Sequence, residues 1–473
     1  MRKTKIVCTL GPACRDEKTM EKMLRAGMNV ARMNFSHGDH DYHEEMLTTF
    51  RRVRDRLQLP AAVMLDTKGP EIRLGEFEGG SVEVKSGDEF VLTTEEITGN
   101  SARAYINYAD LPRQLQAGTR LLIDDGRILL IVEHVGEKEI FCRVKEGGKI
   151  SSRKSINVPH VHLDMPYLSE ADQNDLRFGI EHDVDFVAAS FVRSEKDVIA
   201  LRKFLDYYGG HDIKIISKIE NMEGIENFDG ILRHSDGIMV ARGDMGVEVE
   251  YERLPGLQKK FIRKCYSAGK MVITATQMLE SMISNFTPTR AEITDVANAV
   301  FDGTSAIMLS GETAMGKHPA LVVEIMARIA EQAECDAFDM KVYRGIPYDN
   351  DTEDTTNAVC DAACTTARDV GASAIIAVTK SGYTARRASK FRPEEPIIAA
   401  TYVEKTFHQL ALSWGVYPVR ALYQQDANIL FVHAIDCAKK DDYVKADDVV
   451  VITAGAEGAT DTLRVQRVHV NRH

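Results

Sequence analysis

The stretch Ile213-Lys-Ile-Ile-Ser-Lys-Ile-Glu-Asn221 is a short apolar run that ends in charge. It is too short for a helix, rich in Ile and bounded by turn signals, so it reads as a buried parallel strand. Lys218 and Glu220 stand two apart and therefore on one side of that strand. The same pattern recurs on both sides: Phe186 to Phe191 before it, then Gly237 to Arg242, Met271 to Thr276 and Ala306 to Ser310 after it. Three more runs come early, at Thr4 to Thr9, Val30 to Asn34 and Ala62 to Asp66. Helix-like segments lie between them, such as Asp16 to Ala26, where Asp16 can cap and Gly27 can close the helix. Eight such strands alternating with helices is the number that closes a parallel (β/α)8 barrel.

The gap from Lys68 to His160 reads differently. Alternating patches at Ser81-Val-Glu-Val-Lys85, Glu89-Phe-Val-Leu-Thr93 and Glu139-Ile-Phe-Cys-Arg-Val144 are separated by glycines, which predicts short antiparallel strands. This insertion leaves the barrel at the C-terminal end of the third strand, where barrel enzymes keep their chemistry, and is placed to act as a lid. Beyond Ser310 a helix is expected over Pro319 to Glu334, with Pro at its start, and the acidic stretch Tyr348 to Thr356 reads as a linker. Strand candidates then follow at Ala374 to Thr379, Ile397 to Thr401, Val416 to Ala421 and Asp448 to Thr453, an open α/β domain. The expected division is a barrel of residues 1–67 and 161–340, an inserted β-rich lid of 68–160, and a C-terminal α/β domain of 341–473.

Composition sets outer limits. At 473 residues, 44% hydrophobic and 27% charged, the chain is too long for one small module and too apolar for disorder. A net charge of −12 repels phosphate backbones and anionic lipid, so neither a nucleic acid nor a membrane is an expected partner. No run approaches the roughly 18 apolar residues that span a bilayer. The basic N-terminus breaks at Gly11-Pro12, too early for a signal peptide, and the expectation is a cytoplasmic protein. Eight scattered cysteines without a Cys-x-x-Cys suggest neither disulfides nor zinc, and Cys360 and Cys364, one helical turn apart, read as core residues.

The strand ends carry the chemistry. Glu220 and Asp244 of Ala241-Arg-Gly-Asp244, on neighbouring strand ends, are hard oxygen ligands able to share a divalent ion, a magnesium arrangement when substrate phosphate completes the shell. Lys218 beside them supplies positive charge to a transferring group. Arg32 and Arg73 can fork onto phosphate oxygens. Asn34, Ser36, Asp66 and Thr67 are oxygen donors adequate for a second, monovalent cation. In the C-terminal domain, Thr379-Lys-Ser-Gly-Tyr-Thr384 offers hydroxyls, a Lys and backbone N–H groups at a helix start, a phosphate cradle on physical grounds.

Several long motifs, in order along nearly the whole chain, resemble pyruvate kinase of the bacterial type without an extra C-terminal domain. They are Asn34-Phe-Ser-His-Gly38, Leu65-Asp-Thr-Lys-Gly-Pro-Glu-Ile-Arg73, Lys218-Ile-Glu-Asn-Met-Glu-Gly224, Met239-Val-Ala-Arg-Gly-Asp-Met-Gly246, Thr274-Ala-Thr-Gln-Met-Leu-Glu280 and Met308-Leu-Ser-Gly-Glu-Thr313. The resemblance implies phosphoryl transfer from phosphoenolpyruvate to ADP with Mg2+ and K+ as cofactors. By similarity, Glu220 and Asp244 hold Mg2+, and Asn34, Ser36, Asp66 and Thr67 hold K+. Lys218 neutralises the phosphoryl in flight, and Gly243 and Asp244 offer backbone N–H groups to the substrate carboxylate. Arg32, Asn34, His37, Arg73 and Lys154 serve the nucleotide side, Arg32 is also catalytic and binds substrate together with Lys218, Thr276 and Ser310, and Thr276, with Ser310 in its hydrogen-bond network, helps protonate the enolate. The resemblance further implies a homotetramer, a phosphorylated allosteric effector at Thr379, Lys380, Ser381, Gly382 and Thr384, and potassium dependence where Glu rather than Lys stands at position 71. The chain departs from the family pattern at Glu250, at Phe286-Thr287, at Pro255-Gly256, which is expected to interrupt a helix, and over Ala454 to Arg467.

Two motifs are decoys. Gly311-Glu-Thr-Ala-Met-Gly-Lys317 nearly spells a phosphate-binding loop, but His318 replaces the hydroxyl that would bind magnesium. His37, His40 and His43, interleaved with Asp39 and Asp41, fit a solvated helix N-terminus better than zinc. The rival readings are another magnesium-dependent enolate enzyme, such as a carbon–carbon lyase, which would not need Lys154 or the segment Asp66 to Arg73, and a non-catalytic sugar-phosphate sensor, which would not need Lys218, Glu220, Asp244 and Thr276.

Overall fold

A strand covered on both faces must be apolar along its length, and the eight short runs meet that demand. The computed structural model, which describes residues 1–343, 355–455 and 460–469, forms them as Lys5–Thr9, Val30–Asn34, Ala62–Asp66, Phe186–Ala189, Lys214–Ile219, Gly237–Ala241, Met271–Ala275 and Ala306–Leu309. Each pairs in parallel with the next, and the last closes on the first with Ala306 opposite Lys5, giving a closed barrel. Alternation sorts the side chains. Val7, Met64, Phe186, Ile216, Met239, Ile273 and Met308 fill the interior, while Ile6 and Cys8 face the surrounding helices. The first helix, Glu17–Ala26, starts where Asp16 accepts the Thr19 N–H and stops at Gly27, whose φ of 117° only glycine adopts cheaply.

Between the third and fourth strands the chain builds a seven-stranded sheet and a two-stranded ribbon, from Ile72–Arg73 to Ser155–Asn157. The pairing is antiparallel except between Glu89–Thr93 and Arg103–Tyr105. Beyond the barrel, Val416–Arg420, Ile397–Thr401, Ala374–Val378 and Val449–Ala454 form a parallel sheet with an antiparallel edge strand, Thr462–Arg467. That edge strand is absent from the sequence reading because its mostly polar, half-exposed residues carry no buried-strand signal. Ala411 and Leu412 of this domain join the barrel's interior cluster.

Several expectations are corrected. Pro255 does not interrupt a helix but sits in the first turn of Leu254–Ser267, where its missing N–H would have had no helical partner. The helix begun at Pro319 runs on to Asp339. The linker expected over Tyr348 to Thr356 lies almost wholly outside the described residues, with Thr355 and Thr356 opening the helix Thr355–Val370. On that helix Cys360 and Cys364 are buried, each thiol 3.7 Å from a carbonyl of the helix Tyr383–Lys390. Six barrel strands, the first and the five from the fourth onward, differ at one end or the other from their apolar runs. Phe186–Ala189 stops two residues short of Phe191, and Met271–Ala275 stops before Thr276, because Phe191 and Thr276 turn out of the sheet with φ of 52° and 71°.

The first strand is anchored by one buried side chain. Glu334, in the helix Pro319–Asp339, accepts the backbone N–H groups of Lys3 at 2.9 Å and Thr4 at 2.6 Å. Glu334→Ala strands both donors and is expected to lower stability by about 2–3 kcal/mol, with a smaller loss for Glu334→Gln, which keeps one acceptor oxygen. Urea denaturation of the two variants checks this.

Candidate active site

The strand ends converge on Asp66, which is fully buried at the end of the third strand. Its Oδ2 accepts Arg32 Nε at 2.6 Å, and its Oδ1 accepts Lys218 Nζ at 3.0 Å. Burial alone would push this carboxyl up, but the charges of Arg32 and Lys218 and their hydrogen bonds more than offset that and hold it below the usual carboxylate range. Arg32 is further tied to Thr9 Oγ1 of the first strand at 2.8 Å. Lys218 also reaches Ser190 Oγ at 2.8 Å and Glu220 Oε1 at 3.0 Å, so burial, which would lower its pKa, is outweighed by the two carboxylates.

Glu220 is buried and, besides its ion pair with Lys218, accepts the Phe191 N–H at 2.7 Å. Burial, only partly opposed by Lys218 and reinforced by Asp244, pushes its carboxyl up to about 7. Asp244 is raised in the same way, by burial first, with Asp125 and Glu71 of the inserted domain adding repulsion. Two such carboxylates flanking one ammonium are short of positive charge, and their hard oxygens suit a divalent cation.

Around Thr276 the turn is clamped from the sixth strand end. Arg242 donates from NH2 to Thr276 O at 2.5 Å and from NH1 to Asp295 Oδ1 at 2.7 Å, and the Gly243 N–H donates to Thr276 Oγ1 at 2.8 Å. Thr276 Oγ1 in turn donates to Ala275 O. Ser310 is not hydrogen-bonded to Thr276. Among the described residues its buried Oγ meets no hydrogen-bond partner, and its backbone N–H donates to Glu312, which also accepts the Leu279 N–H and so ties together the seventh and eighth strand loops.

The oxygen donors Asn34 and Asp66 are register partners on adjacent strands. Thr67 is buried beside them with its Oγ1 accepting the Ser190 N–H at 3.1 Å, while Ser36 and His37 are exposed on the following turn. The lid cations are engaged within their own domain: Arg73 pairs with Glu71 at 2.6 Å and Lys154 with Asp124 at 2.6 Å. A cavity of about 470 Å3 opens between the lid's hinge and the barrel, bordered by Glu71, Asn157, Phe191 and Asp244. In the C-terminal loop Lys380 and Ser381 are exposed, whereas Thr379 accepts the Gly382 N–H at 3.0 Å and Thr384 bonds Thr460 at 2.8 Å. His43 Nε2 donates to His37 O at 2.8 Å and His40 pairs with Asp175, which accounts for the histidine spacing.

Sequence reasoning missed Ser190, Phe191, Thr9, Arg242 as a clamp, and Glu312. One signal was present for Ser190: it is the polar residue that breaks the fourth apolar run, in the position occupied on the other strands by Asn34, Asp66 and Ser310.

Comparison with known proteins identifies the family. The family model for the pyruvate kinase barrel domain matches residues 1–323, and that for the pyruvate kinase alpha/beta domain matches residues 357–466. A pyruvate kinase of Clostridium acetobutylicum is 45% identical over 473 residues, covering 99% of this chain and all of the relative. One of Staphylococcus aureus is 44% identical, with 99% of this chain aligned to 80% of the relative. A crystal structure of a pyruvate kinase from Cryptosporidium parvum superposes with a TM-score of 0.91 at 39% identity, over 98% of this chain and 96% of that one. With the barrel, the lid and the C-terminal sheet all accounted for, the chain belongs to the pyruvate kinase family.

Proposed function

We propose that the barrel mouth transfers the phosphoryl group of phosphoenolpyruvate to ADP, with Lys218 as the cation that accompanies it. The observation that carries this reading is the Lys218 ammonium, buried at 8% exposure and held between Asp66 and Glu220, with Asp244 alongside. Glu220 and Asp244 are the residues that would hold Mg2+, and Asn34, Ser36, Asp66 and Thr67 those that would hold K+. Bound there, these ions supply positive charge to two anionic substrates that would otherwise repel each other.

The chain's own groups do the rest. Arg32, fixed by Asp66 and Thr9, directs its remaining N–H groups toward substrate phosphate. The helix start at Gly243 and Asp244 offers the substrate carboxylate a backbone N–H, that of Asp244, since the Gly243 N–H is engaged with Thr276. Transfer breaks the P–O bond of phosphoenolpyruvate and forms one to the terminal ADP oxygen, which leaves the enolate of pyruvate. Thr276 helps deliver the proton that turns this enolate into pyruvate, and ketonisation makes the transfer favourable. Asn34, His37, Arg73 and Lys154 are assigned to the nucleotide, the last two reaching it from the lid. Ser310 is assigned to the pyruvate side through its unpartnered hydroxyl rather than through Thr276.

We take the domain units to be 1–67 with 161–340, 68–160, and 341–473. No helix among the described residues is long and apolar enough to cross a membrane. Cytoplasmic residence and a homotetramer complete the reading. A phosphorylated effector is assigned to the loop Thr379, Lys380, Ser381, Gly382 and Thr384. Lys380 and Ser381 make the contact, and Thr379 and Thr384 shape the turn.

Three measurements test this. In a coupled assay that follows pyruvate from phosphoenolpyruvate and ADP, Lys218→Met should lose at least ~10²-fold in kcat, about 2.7 kcal/mol of transition-state stabilisation, while Asp66 keeps its Arg32 partner and the fold persists. Near-normal turnover would remove Lys218 from its role. Ser381→Glu should abolish activation by phosphorylated sugars or nucleotides, read as phosphoenolpyruvate saturation with and without each candidate; indifference of the wild type to all of them counts against the loop. Finally, turnover should require K+, and Glu71→Lys should substantially relieve that requirement, because a tethered ammonium near Asp244 changes the local charge by two units. High wild-type turnover in potassium-free tetramethylammonium buffer would refute the cation site. A folded variant that still needs K+ would refute the part given to Glu71.

A further inference from the structure

An ammonium group has three hydrogens, and here two of them are donated, to Ser190 and Asp66, while Glu220 meets the group as an ion pair. Lys218 Nζ lies 2.8 Å from Ser190 Oγ, 3.0 Å from Asp66 Oδ1 and 3.0 Å from Glu220 Oε1. These partners differ in kind. Asp66 is committed to Arg32, and Glu220 belongs to the carboxylate pair assigned to the divalent ion. Ser190 is neutral, buried at 2% exposure, and touches no proposed substrate group.

Its hydroxyl is itself oriented. Ser190 Oγ is 2.6 Å from Thr67 O and 3.2 Å from Asp66 Oδ1, and having one hydrogen it donates it over the shorter distance, to the Thr67 carbonyl. Its lone pairs then face Lys218. The Ser190 N–H donates to Thr67 Oγ1, so two bonds to Thr67 fix the residue against the third strand. The next residue completes the arrangement. Phe191 adopts a φ of 52°, costly for a residue with a side chain, and thereby aims its N–H at Glu220 Oε2. Two consecutive residues of the fourth strand end therefore grip the ammonium and the carboxylate that stand two apart on the fifth.

We propose that Ser190 is a positioning residue for Lys218: with Asp66 it holds two of the three ammonium hydrogens, so that only the third, on the side of the Glu220 ion pair, is free to donate a hydrogen bond to the phosphoryl group. Glu220 would be drawn toward a divalent ion held with Asp244, and the bonds to Ser190 and Asp66 would still fix the ammonium. The inference rests on the phosphoryl-transfer reading above and adds to it the reason that the cation is aimed. Because the aimed hydrogen matters most when charge is developing on the phosphoryl group, losing Ser190 lowers kcat more than it raises KM.

The test compares wild type, Ser190→Ala and Ser190→Thr in the pyruvate assay, together with thermal unfolding and Mn2+ binding followed by electron paramagnetic resonance without substrates. Ser190→Ala should lose about 10-fold or more in kcat, with KM for phosphoenolpyruvate within about threefold. Its Mn2+ affinity should stay within about threefold, since Glu220 keeps Phe191 and Asp244 is untouched, and its unfolding midpoint within about 3 °C. Ser190→Thr, which keeps the hydroxyl, should recover most of the turnover. A kcat within about twofold of wild type for Ser190→Ala overturns the proposal. So does a loss of kcat matched by loss of Mn2+ binding or of the unfolding midpoint, which would make Ser190 merely structural, and so does a folded Ser190→Thr no better than Ser190→Ala. Absence of turnover in the wild type would instead sink the phosphoryl-transfer reading itself.

Discussion

Everything at the barrel mouth depends on how one buried carboxylate is compensated. Asp66 has no exposure to water, and an isolated ion there would cost several kcal/mol or would simply protonate. It stays charged because Arg32 from the second strand and Lys218 from the fifth meet it from two sides, while Ser190 approaches from the fourth. Such a cluster adds little net stability compared with an apolar core of the same volume, since desolvating each ion consumes most of what the Coulomb attraction returns. What it provides is position. The guanidinium and the ammonium cannot leave Asp66 without stranding its charge, so two cations that must meet phosphate are held in place before any ligand arrives.

The barrel's curvature makes this possible. Arg32, Asp66 and Lys218 are far apart in sequence, and the curved parallel sheet brings the ends of the second, third and fifth strands together at one rim. The opposite rim is sealed by Ala411 and Leu412, and there the first strand touches the C-terminal domain. Lys3 O accepts the Gly415 N–H at 2.9 Å, and Lys5 Nζ donates to Val416 O at 2.6 Å, its amine pushed down to about 7 by burial. The other end of that strand is Thr9, which holds Arg32. A single strand thus makes contact with the C-terminal sheet at one end and the phosphate-facing guanidinium at the other.

Much of this was legible in the sequence because barrel strands are short, apolar and punctuated, and because charged residues after an apolar run have few structural reasons to be there. The eight strands, the inserted β domain and the clustering of Arg32, Asp66, Lys218, Glu220 and Asp244 follow from those two rules. Periodicity is blind to what happens at a strand's last residue. The apolar run through Phe191 gave no hint that Ser190 and Phe191 leave the sheet, because the turn is imposed by Thr67 and Glu220, which lie elsewhere in the chain. The same blindness explains Ser310. The family resemblance implied a bond to Thr276, but Thr276 is already engaged by Gly243 and its own preceding carbonyl. Pro255 was misjudged because a helix-breaking residue and a helix-starting one are the same residue seen from different ends.

The carboxylates explain why such a site sits on an acidic protein. Glu220 and Asp244 share one ammonium, and Asp125 and Glu71 on the lid side add further negative charge. Burial first, with the repulsion of Asp244 and Asp66 added, pushes Glu220 up to about 7, and burial with the repulsion of Asp125 and Glu71 raises Asp244 in the same direction. A pair so strained electrostatically has more to gain from a divalent cation than an exposed pair would, since the ion replaces mutual repulsion with attraction in a region of low dielectric. A net charge of −12 that is unfavourable for phosphates in general therefore coexists with a rim where cations, fixed and bound, dominate locally. Selectivity for phosphate at this one place follows from concentrating positive charge where geometry holds it, rather than from any positive charge of the protein as a whole.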